Sequence, residues 1–443
     1  MKKRSVTVSV LFITAFKWCV LAAIVGVAVG LSAALFLKAL NWSIFLATQC
    51  SYYYLSLPLA LFVVSLIIFY LAPEKEGIGT EKVIESIHKR SGKISPVSIP
   101  VNFITPIITI ASGGSAGKEA PCCDIGVGVT SSLSDILRLN SADRKRLAIC
   151  GVSAGFASVF GTPIAGAVFG VEVLFIGRIL YDALLPSLIA GFVSYHISSA
   201  LGIVYSYHPS PAFVFSSPML VKVVVAGVFF GVVSVLLIET MQLSKSLSSK
   251  MRLWEPLKGL IGGLILVVLT FAFSTQFLGL GLETINSALV GANILWYAFI
   301  LKIIFTAITL SFGGNGGVIT PIFFIGATSG AVFANLLGVD AATLSAIGLV
   351  SVLAGATNTP IASSVMAMEL FGIGIAPYAV ISNVVSFFVT GYRSIYPSQI
   401  LAIRKLPFIK VKLGEEIGKL NQNFGKFRAH PVTSRRSLGT TAR

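Results

Sequence analysis

Apolar runs close to 20 residues long recur along nearly the whole 443-residue chain, separated by short polar or glycine-rich breaks. About 20 apolar residues in a helix cross the hydrocarbon core of a bilayer, so this pattern predicts an all-α integral membrane protein. The predicted apolar helices cover Val6–Leu40, Ser56–Leu71, Leu180–Leu201, Pro218–Leu243, Leu257–Phe273 and Ala298–Leu310, and the shorter segments Ala342–Ala354, Ile361–Phe371 and Ile375–Val389.

The strongest break in this pattern is Ser112–Pro121, which reads Ser-Gly-Gly-Ser-Ala-Gly-Lys-Glu-Ala-Pro between two apolar runs. Glycine permits backbone turns that other residues avoid, and proline is favoured in the first turn of a helix. We therefore expect the chain to break inside the membrane and restart as a helix that runs to about Leu137. The start of such a helix offers free N–H groups and a partial positive charge, which together suit an anion.

Glu119 lies at this predicted helix start. A carboxylate inside a membrane costs about 3 kcal/mol, so an intramembrane glutamate is a functional candidate by default. We interpret Glu119 as the gate of an anion pathway. The alternative is a structural glutamate that interacts only with the dipole of its own helix.

The glycine break occurs a second time, in Phe312–Pro321, with Gly113, Gly114, Gly117 and Pro121 repeated in spacing by Gly313, Gly314, Gly317 and Pro321. A second pair of motifs follows in order, Gly161–Ala165 leading to Glu172 and Asn358–Ala362 leading to Glu369. Matching broken apolar segments in two halves of a chain indicate a substrate site between internal repeats. The predicted organisation is an N-terminus of residues 1–5, transmembrane halves of residues 6–205 and 212–405, and a basic tail of residues 406–443.

Composition and charge agree with a membrane location. The chain is 55% hydrophobic, with a mean hydropathy of +0.90 and a formal net charge of +16. In a soluble protein this charge would suggest nucleic acid, but here it concentrates in Lys2–Arg4, in Arg144–Arg146 and in the tail from Arg404, beside apolar segments. Because basic residues favour the cytoplasmic side, we expect a multi-pass plasma membrane protein with both termini cytoplasmic and no nucleic-acid partner.

Catalytic and metal chemistry is not indicated. The five cysteines show no metal-ligand spacing and lie mostly in apolar stretches, so neither a metal site nor a disulfide framework is predicted. Gly151–Gly155 matches the G-x-S-x-G nucleophile pattern, but no strand–turn–helix context or histidine triad accompanies it. We therefore expect no enzyme activity and no cofactor.

Two further segments are candidates for the site. Gly77–Thr80 opens a short helix that carries Glu81 and Glu85, and Thr80 could cap it. That segment is either a second broken helix of the site or a simple cytoplasmic loop. Gly391–Pro397 is expected to open one last short helix directed back into the protein, whose Tyr396 could donate its hydroxyl to an anion. The alternative for Tyr396 is a tyrosine of the membrane interface.

At these motifs the chain resembles the CLC family of chloride channels and chloride/proton antiporters, from about residue 10 to residue 405. Gly117–Pro121 is similar to the family's G-K/R-E-G-P motif, and Gly316–Pro321 to its G-x-F-x-P motif. Thr162–Gly166 matches another family signature, and Tyr396 falls at the family's anion-coordinating tyrosine.

The resemblance implies a homodimer with one pore per subunit, built from two inverted halves of broken and tilted helices. It also implies that Glu119 is the gate. The implied anion-binding positions are Ile78, Gly79, Gly117, Lys118, Gly317, Val318, Ile319, Thr320 and Tyr396.

Three positions depart from the family pattern. Ile78 stands where the family has a serine that coordinates the central anion, and Ala120 replaces the second glycine of the gate motif. Val173 occupies the position of the proton-relay glutamate of the antiporters. The preceding residue, Glu172, should point about 100° away on a helix and cannot simply substitute for it.

We therefore expect halide transport, with chloride as the first expectation and movement that is passive or only weakly coupled to protons. A proton-coupled fluoride exporter of the same family is the alternative, because some fluoride-exporting relatives also lack the serine. A secondary transporter of another anion and a membrane enzyme are less favoured. The expected partners are a halide anion, protons in the coupled alternative, the lipid bilayer and a second copy of the chain.

Overall fold

The computed structural model describes residues 2–71, 79–205, 217–405 and 411–423. The helices of the first half are α1 (Lys2–Thr48), α2 (Leu57–Leu71), α3 (Thr80–Arg90), α4 (Ser98–Ala111), α5 (Glu119–Ile136), α6 (Ser141–Phe160), α7 (Pro163–Glu172) and α8 (Tyr181–Ala200). Those that follow are α9 (Ser217–Lys250), α10 (Glu255–Ala272), α11 (Leu282–Leu289), α12 (Ala298–Ser311), α13 (Ile319–Leu337), α14 (Ala341–Thr357), α15 (Pro360–Phe371), α16 (Ala376–Thr390) and α17 (Ile417–Asn423).

Short elements complete the described part of the chain. The 3₁₀ turns are Tyr53–Ser56, Thr275–Phe277 and Ile373–Ile375. A parallel pair joins β1 (Phe175–Ile176), which follows α7, to β2 (Ile400–Leu401) near the C-terminal end. Among the described residues, seven helical segments are long and apolar enough to cross a membrane. The prediction of an all-α membrane protein is therefore confirmed.

The internal repeat predicted from the glycine motifs is present in the order of the helices. The series α4, α5, α6 and α7 recurs as α12, α13, α14 and α15, and α4 and α12 begin at Ser98 and Ala298. In both halves the helix breaks at the glycines and restarts at residue 119 or 319. The next two helices also pack closely in both halves, because glycines meet where they cross. Gly126 of α5 contacts Gly151 of α6, and Gly326 of α13 contacts Gly348 of α14.

The two halves meet through reciprocal hydrogen bonds at the glycine breaks. The N–H of Gly117 donates to the carbonyl of Gly317, and the N–H of Gly317 donates to the carbonyl of Gly117, both at 2.7 Å. Thr309 Oγ1 accepts from the N–H of Ser115 at 3.0 Å, and Thr109 Oγ1 accepts from the N–H of Asn315 at 3.1 Å. Each contact of one half is thus returned by the other, as expected for inverted repeats related by a local two-fold axis.

A second reciprocal contact joins the short helices α7 and α15. Glu172 at the end of α7 accepts from the N–H groups of Ile361 and Ala362 at 3.1 and 2.7 Å. Glu369 on α15 accepts from the N–H groups of Ile164 and Ala165 at 2.9 and 2.7 Å. Each helix start therefore receives a carboxylate from the partner helix, which satisfies N–H groups that have no acceptor within their own helix.

Two local predictions are wrong. The segment from Gly391 to Gln399 forms bends and a turn and contains no helix. Its backbone bonds elsewhere, because the N–H of Ile395 donates to the carbonyl of Ala356 and that of Tyr396 donates to Ser394 Oγ. Thr80 does not cap α3 either, since Gly79 is the N-cap and Thr80 is the first helical residue. Ile78 and Gly77 lie outside the described residues.

Candidate anion site

Glu119 is the first residue of α5, and its side chain is fully buried. Its carboxylate is bound by the start of α13 in the other half. Oε1 accepts from the N–H of Ile319 at 2.5 Å, and Oε2 accepts from the hydroxyl of Thr320 at 2.8 Å. The negative group thus occupies a helix N-terminus, where N–H groups and the helix dipole favour an anion.

The two bridging glycines allow this carboxylate to fit. A Cβ atom on Gly117 or on Gly317 would overlap the carboxylate oxygens of Glu119. Because the N–H groups of these two glycines donate to each other's carbonyls, they bind the two halves together in this structure and are not free for an anion. Both glycines were predicted as anion-binding positions. In this structure they leave room for the Glu119 carboxylate and join the backbones of the two halves.

A cavity of about 230 Å³ lies at the start of α5, where Ala120 lines it, and residues of both halves form its wall. It brings together three of the segments predicted to form the site. Gly79 and Thr80 come from the start of α3, Gly317 and Val318 come from the start of α13, and Tyr396 comes from the segment before β2. The start of the short helix α3 therefore lines this cavity together with the start of α13 and Tyr396.

Tyr396 is placed by the turn that precedes β2. Its side chain is buried, its N–H donates to Ser394 Oγ at 3.0 Å, and its carbonyl accepts from the N–H of Gln399 at 3.1 Å. The ring lines the cavity within electrostatic reach of Glu119. A phenol hydroxyl at this point can donate to an anion in the cavity.

One residue at the candidate site, Asp124, was missed by the sequence analysis. Asp124 is buried on α5, and its Oδ2 accepts from the N–H of Gly79 at 2.8 Å, so that this predicted amide ligand is already bonded to the protein. Thr80 Oγ1 is buried at the cavity without a hydrogen-bond partner among the described residues. The signal for Asp124 was available, since an aspartate within an apolar segment is itself a functional candidate.

Lys118 and Val173 are the remaining predicted positions that the structure describes. Lys118 is the N-cap of α5, and its side chain is partly buried within electrostatic reach of Glu119. Val173 is buried at the end of α7, where its carbonyl accepts from Gln399 Nε2 at 2.7 Å. Glu172 binds the start of α15, so it faces a different neighbour, as its predicted direction required.

The Tyr396→Phe variant tests the role of the hydroxyl. We expect halide affinity to weaken by about 1 kcal/mol, the scale of one hydrogen bond, which is roughly a fivefold rise in Kd. Calorimetric titration of the purified protein with halide measures this change. The control is Tyr70→Phe, which removes a hydroxyl from an exposed tyrosine on α2. Equal affinity in Tyr396→Phe and wild type would remove Tyr396 from the list of ligands.

Comparisons with known proteins place this geometry in a family. A family model described as voltage gated chloride channel matches residues 59–391. A chloride/fluoride channel protein of Pseudomonas syringae pv. tomato is 35% identical over 395 residues, which cover 86% of this chain and 86% of that relative. An H(+)/Cl(-) exchange transporter of Klebsiella pneumoniae is 26% identical over 390 residues, covering 79% of this chain and 80% of that relative.

A solved structure of a CLC-type protein has a similar fold. The crystal structure of a CLC-type fluoride/proton antiporter matches with a TM-score of 0.83 at 29% sequence identity. The match covers 87% of this chain and 98% of that chain.

Proposed function

Because the chain belongs to the family of voltage gated chloride channels, whose members here include channels and exchangers, we propose that it moves halide anions past Glu119, with fluoride favoured and a proton exchanged. CLC-type anion transport is common to these relatives. The choice of fluoride, the exchange of a proton and the gating role of Glu119 are the parts that we add.

The observation that carries the proposal is the buried carboxylate of Glu119 on the N–H of Ile319 and the hydroxyl of Thr320. These donors replace the hydration shell that a halide loses on entering the membrane, a loss that is otherwise very costly. Ionised Glu119 binds the donors itself and closes the pathway. Once protonated, it is a weaker acceptor, and an anion can take its place.

Fluoride moves ahead of chloride for two reasons. Of the halides, fluoride is closest to a carboxylate oxygen in size and in strength as an acceptor, so the donors that bind Glu119 suit it best. The relative that is 35% identical is named for chloride and fluoride, and the antiporter structure at 29% identity is named for fluoride and protons. This reverses the order expected from the sequence, in which passive chloride movement came first.

The proposal includes the assembly and the membrane. We expect a homodimer in the plasma membrane with both termini cytoplasmic. Three apolar side chains on neighbouring elements are exposed in the single chain: Ile361 of α15 at 48%, Ile373 of the following 3₁₀ turn at 83% and Phe388 of α16 at 46%. A second copy or lipid tails would cover them.

The test is the reversal potential of the purified protein in liposomes, measured with fluoride or chloride as the permeant anion and with or without a pH gradient. We expect fluoride to carry more flux than chloride, and the reversal potential to shift with the pH gradient at a fixed fluoride gradient. A reversal potential that does not change with the pH gradient would support passive movement instead. A higher flux of chloride than of fluoride would support chloride as the transported ion.

A further inference from the structure

Glu81 is a carboxylate that lines the candidate anion cavity, as the start of α13 also does. It is the second residue of α3 and lines the cavity together with Thr80 and Tyr396. Its Oε1 accepts from the N–H of Ser398 at 3.1 Å and from the hydroxyl of Ser398 at 2.7 Å. A carboxylate in an anion pathway repels the ion that the pathway carries. The presence of Glu81 in the cavity wall therefore needs an explanation.

The surroundings of the other carboxyl oxygen, Oε2, favour the protonated, neutral form of Glu81. Oε2 is buried and has no hydrogen-bond partner among the described residues. A buried ionised oxygen without a donor is costly, whereas a protonated carboxyl oxygen loses much of that cost. Burial accordingly raises the pKa of Glu81, against the opposing effects of the Ser398 hydroxyl and of Lys245. Glu81 thus takes up a proton at a higher pH than an exposed glutamate.

The charged and titratable groups around Glu81 bear on how a proton could reach and leave it. Tyr396 lies within electrostatic reach of both Glu119 and Glu81. On its own helix Lys82 is paired with Glu85 at 3.0 Å. On α9 the exposed Lys245 lies within electrostatic reach of Glu81. These are the charged and titratable groups that face Glu81 in the described part of the chain.

The position that serves as proton relay in the family's antiporters carries no titratable group here. Val173 is apolar and 1% exposed, and Glu172 is bound to the start of α15. A proton released by Glu119 therefore needs another acceptor. The cavity of about 230 Å³ is large enough for several water molecules, at roughly 30 Å³ each, and Glu81 lines it.

We propose that Glu81 is the inner proton-binding group of the exchange. The proton leaves the carboxyl of Glu119, crosses the cavity on water, binds the carboxylate of Glu81 and then passes to the solution beside Lys245. No bond other than those to the moving proton is made or broken. The inference rests on the proton exchange of the proposed function and assigns its path.

The experiment measures fluoride efflux and proton uptake in the same liposomes for wild type and Glu81→Gln. We expect Glu81→Gln to retain fluoride movement and to lose proton movement by about a hundredfold, the scale of one positioned proton-transfer group. The matched control is Glu85→Gln, which alters a carboxyl on the same helix that pairs with Lys82 and Lys89 away from the cavity. That control should retain both movements.

A second variant separates proton transfer from a structural role. Ser398→Ala removes the hydroxyl donor of Glu81 and keeps the carboxyl, so proton movement should persist. Equal losses in Ser398→Ala and Glu81→Gln, or loss of fluoride movement in Glu81→Gln, would assign Glu81 to holding the Ser398 turn and overturn the inference. Full proton coupling in Glu81→Gln would overturn it alone. A wild type that moves fluoride without protons would overturn it together with the proposed exchange.

Discussion

The Glu119→Gln variant should carry halide at a rate at least equal to that of wild type, with most of its pH dependence gone. Glutamine is always neutral, so it cannot hold the donors of Ile319 and Thr320 as strongly as the ionised carboxylate does. A charge-assisted hydrogen bond contributes about 1.5–3 kcal/mol, so the loss of two such bonds favours the open pathway by roughly two orders of magnitude or more. Halide efflux from liposomes between pH 5 and pH 8 measures the effect.

The control for this variant is Glu239→Gln, an exposed carboxyl on α9 that pairs with Arg393. Its efflux should follow the wild-type pH profile. If Glu119→Gln keeps the wild-type pH profile, the pH-sensitive gate lies elsewhere, and Asp124 becomes the next carboxyl to examine. Proton exchange should also be lost in Glu119→Gln, because the variant has no carboxyl at the head of the proton path.

The Glu172→Ala variant should lower the free energy of unfolding by about 3 kcal/mol, since it leaves one buried and one partly buried N–H group at the start of α15 without their acceptor. Glu172→Gln keeps one acceptor oxygen and should lose about half as much. Unfolding of the purified protein in mixed detergent, followed by circular dichroism, measures both losses.

The matched comparison is Glu369→Ala at the reciprocal contact with Ile164 and Ala165. It should destabilise by a smaller amount, because it removes the corresponding two hydrogen bonds at a more exposed contact, where water can reach the freed N–H groups. Glu239→Ala should cost less than about 1 kcal/mol, as expected for an exposed ion pair. A Glu172→Ala protein as stable as Glu239→Ala would show that water or lipid satisfies the freed N–H groups.

The features that the sequence predicts correctly depend on short segments. The glycine breaks, the restart at Glu119 and the repeat around Phe312–Pro321 are each contained in about ten residues, so spacing and backbone preference identify them. The membrane helices follow from apolar length. Their ends are less accurate, and α9 extends to Lys250 rather than Leu243, because a helix can continue into a polar segment beyond the membrane.

The features that were missed join residues far apart in the chain. Gly79 and Asp124 are 45 residues apart, and Glu81 and Ser398 are 317 residues apart. No local pattern links such pairs, since their contact depends on how the two halves pack. The helix expected after Gly391 fails for the same reason. Gln399 bonds to the carbonyls of Val173 and Thr357 and so holds that segment in an irregular path that its own sequence does not reveal.

The backbone bridge between Gly117 and Gly317 limits how far the two halves of the chain can diverge in evolution. Most positions of the repeat are related only by architecture, so Glu119 and its counterpart Ile319 can differ completely. At the bridge, neither glycine can gain a side chain, because a Cβ atom on either one would overlap the Glu119 carboxylate. A change at either glycine would then demand a second change at Glu119. We expect the similarity between the two halves to be retained most clearly at these two glycines. The neighbouring side chains can differ between the halves, as Glu119 and Ile319 do.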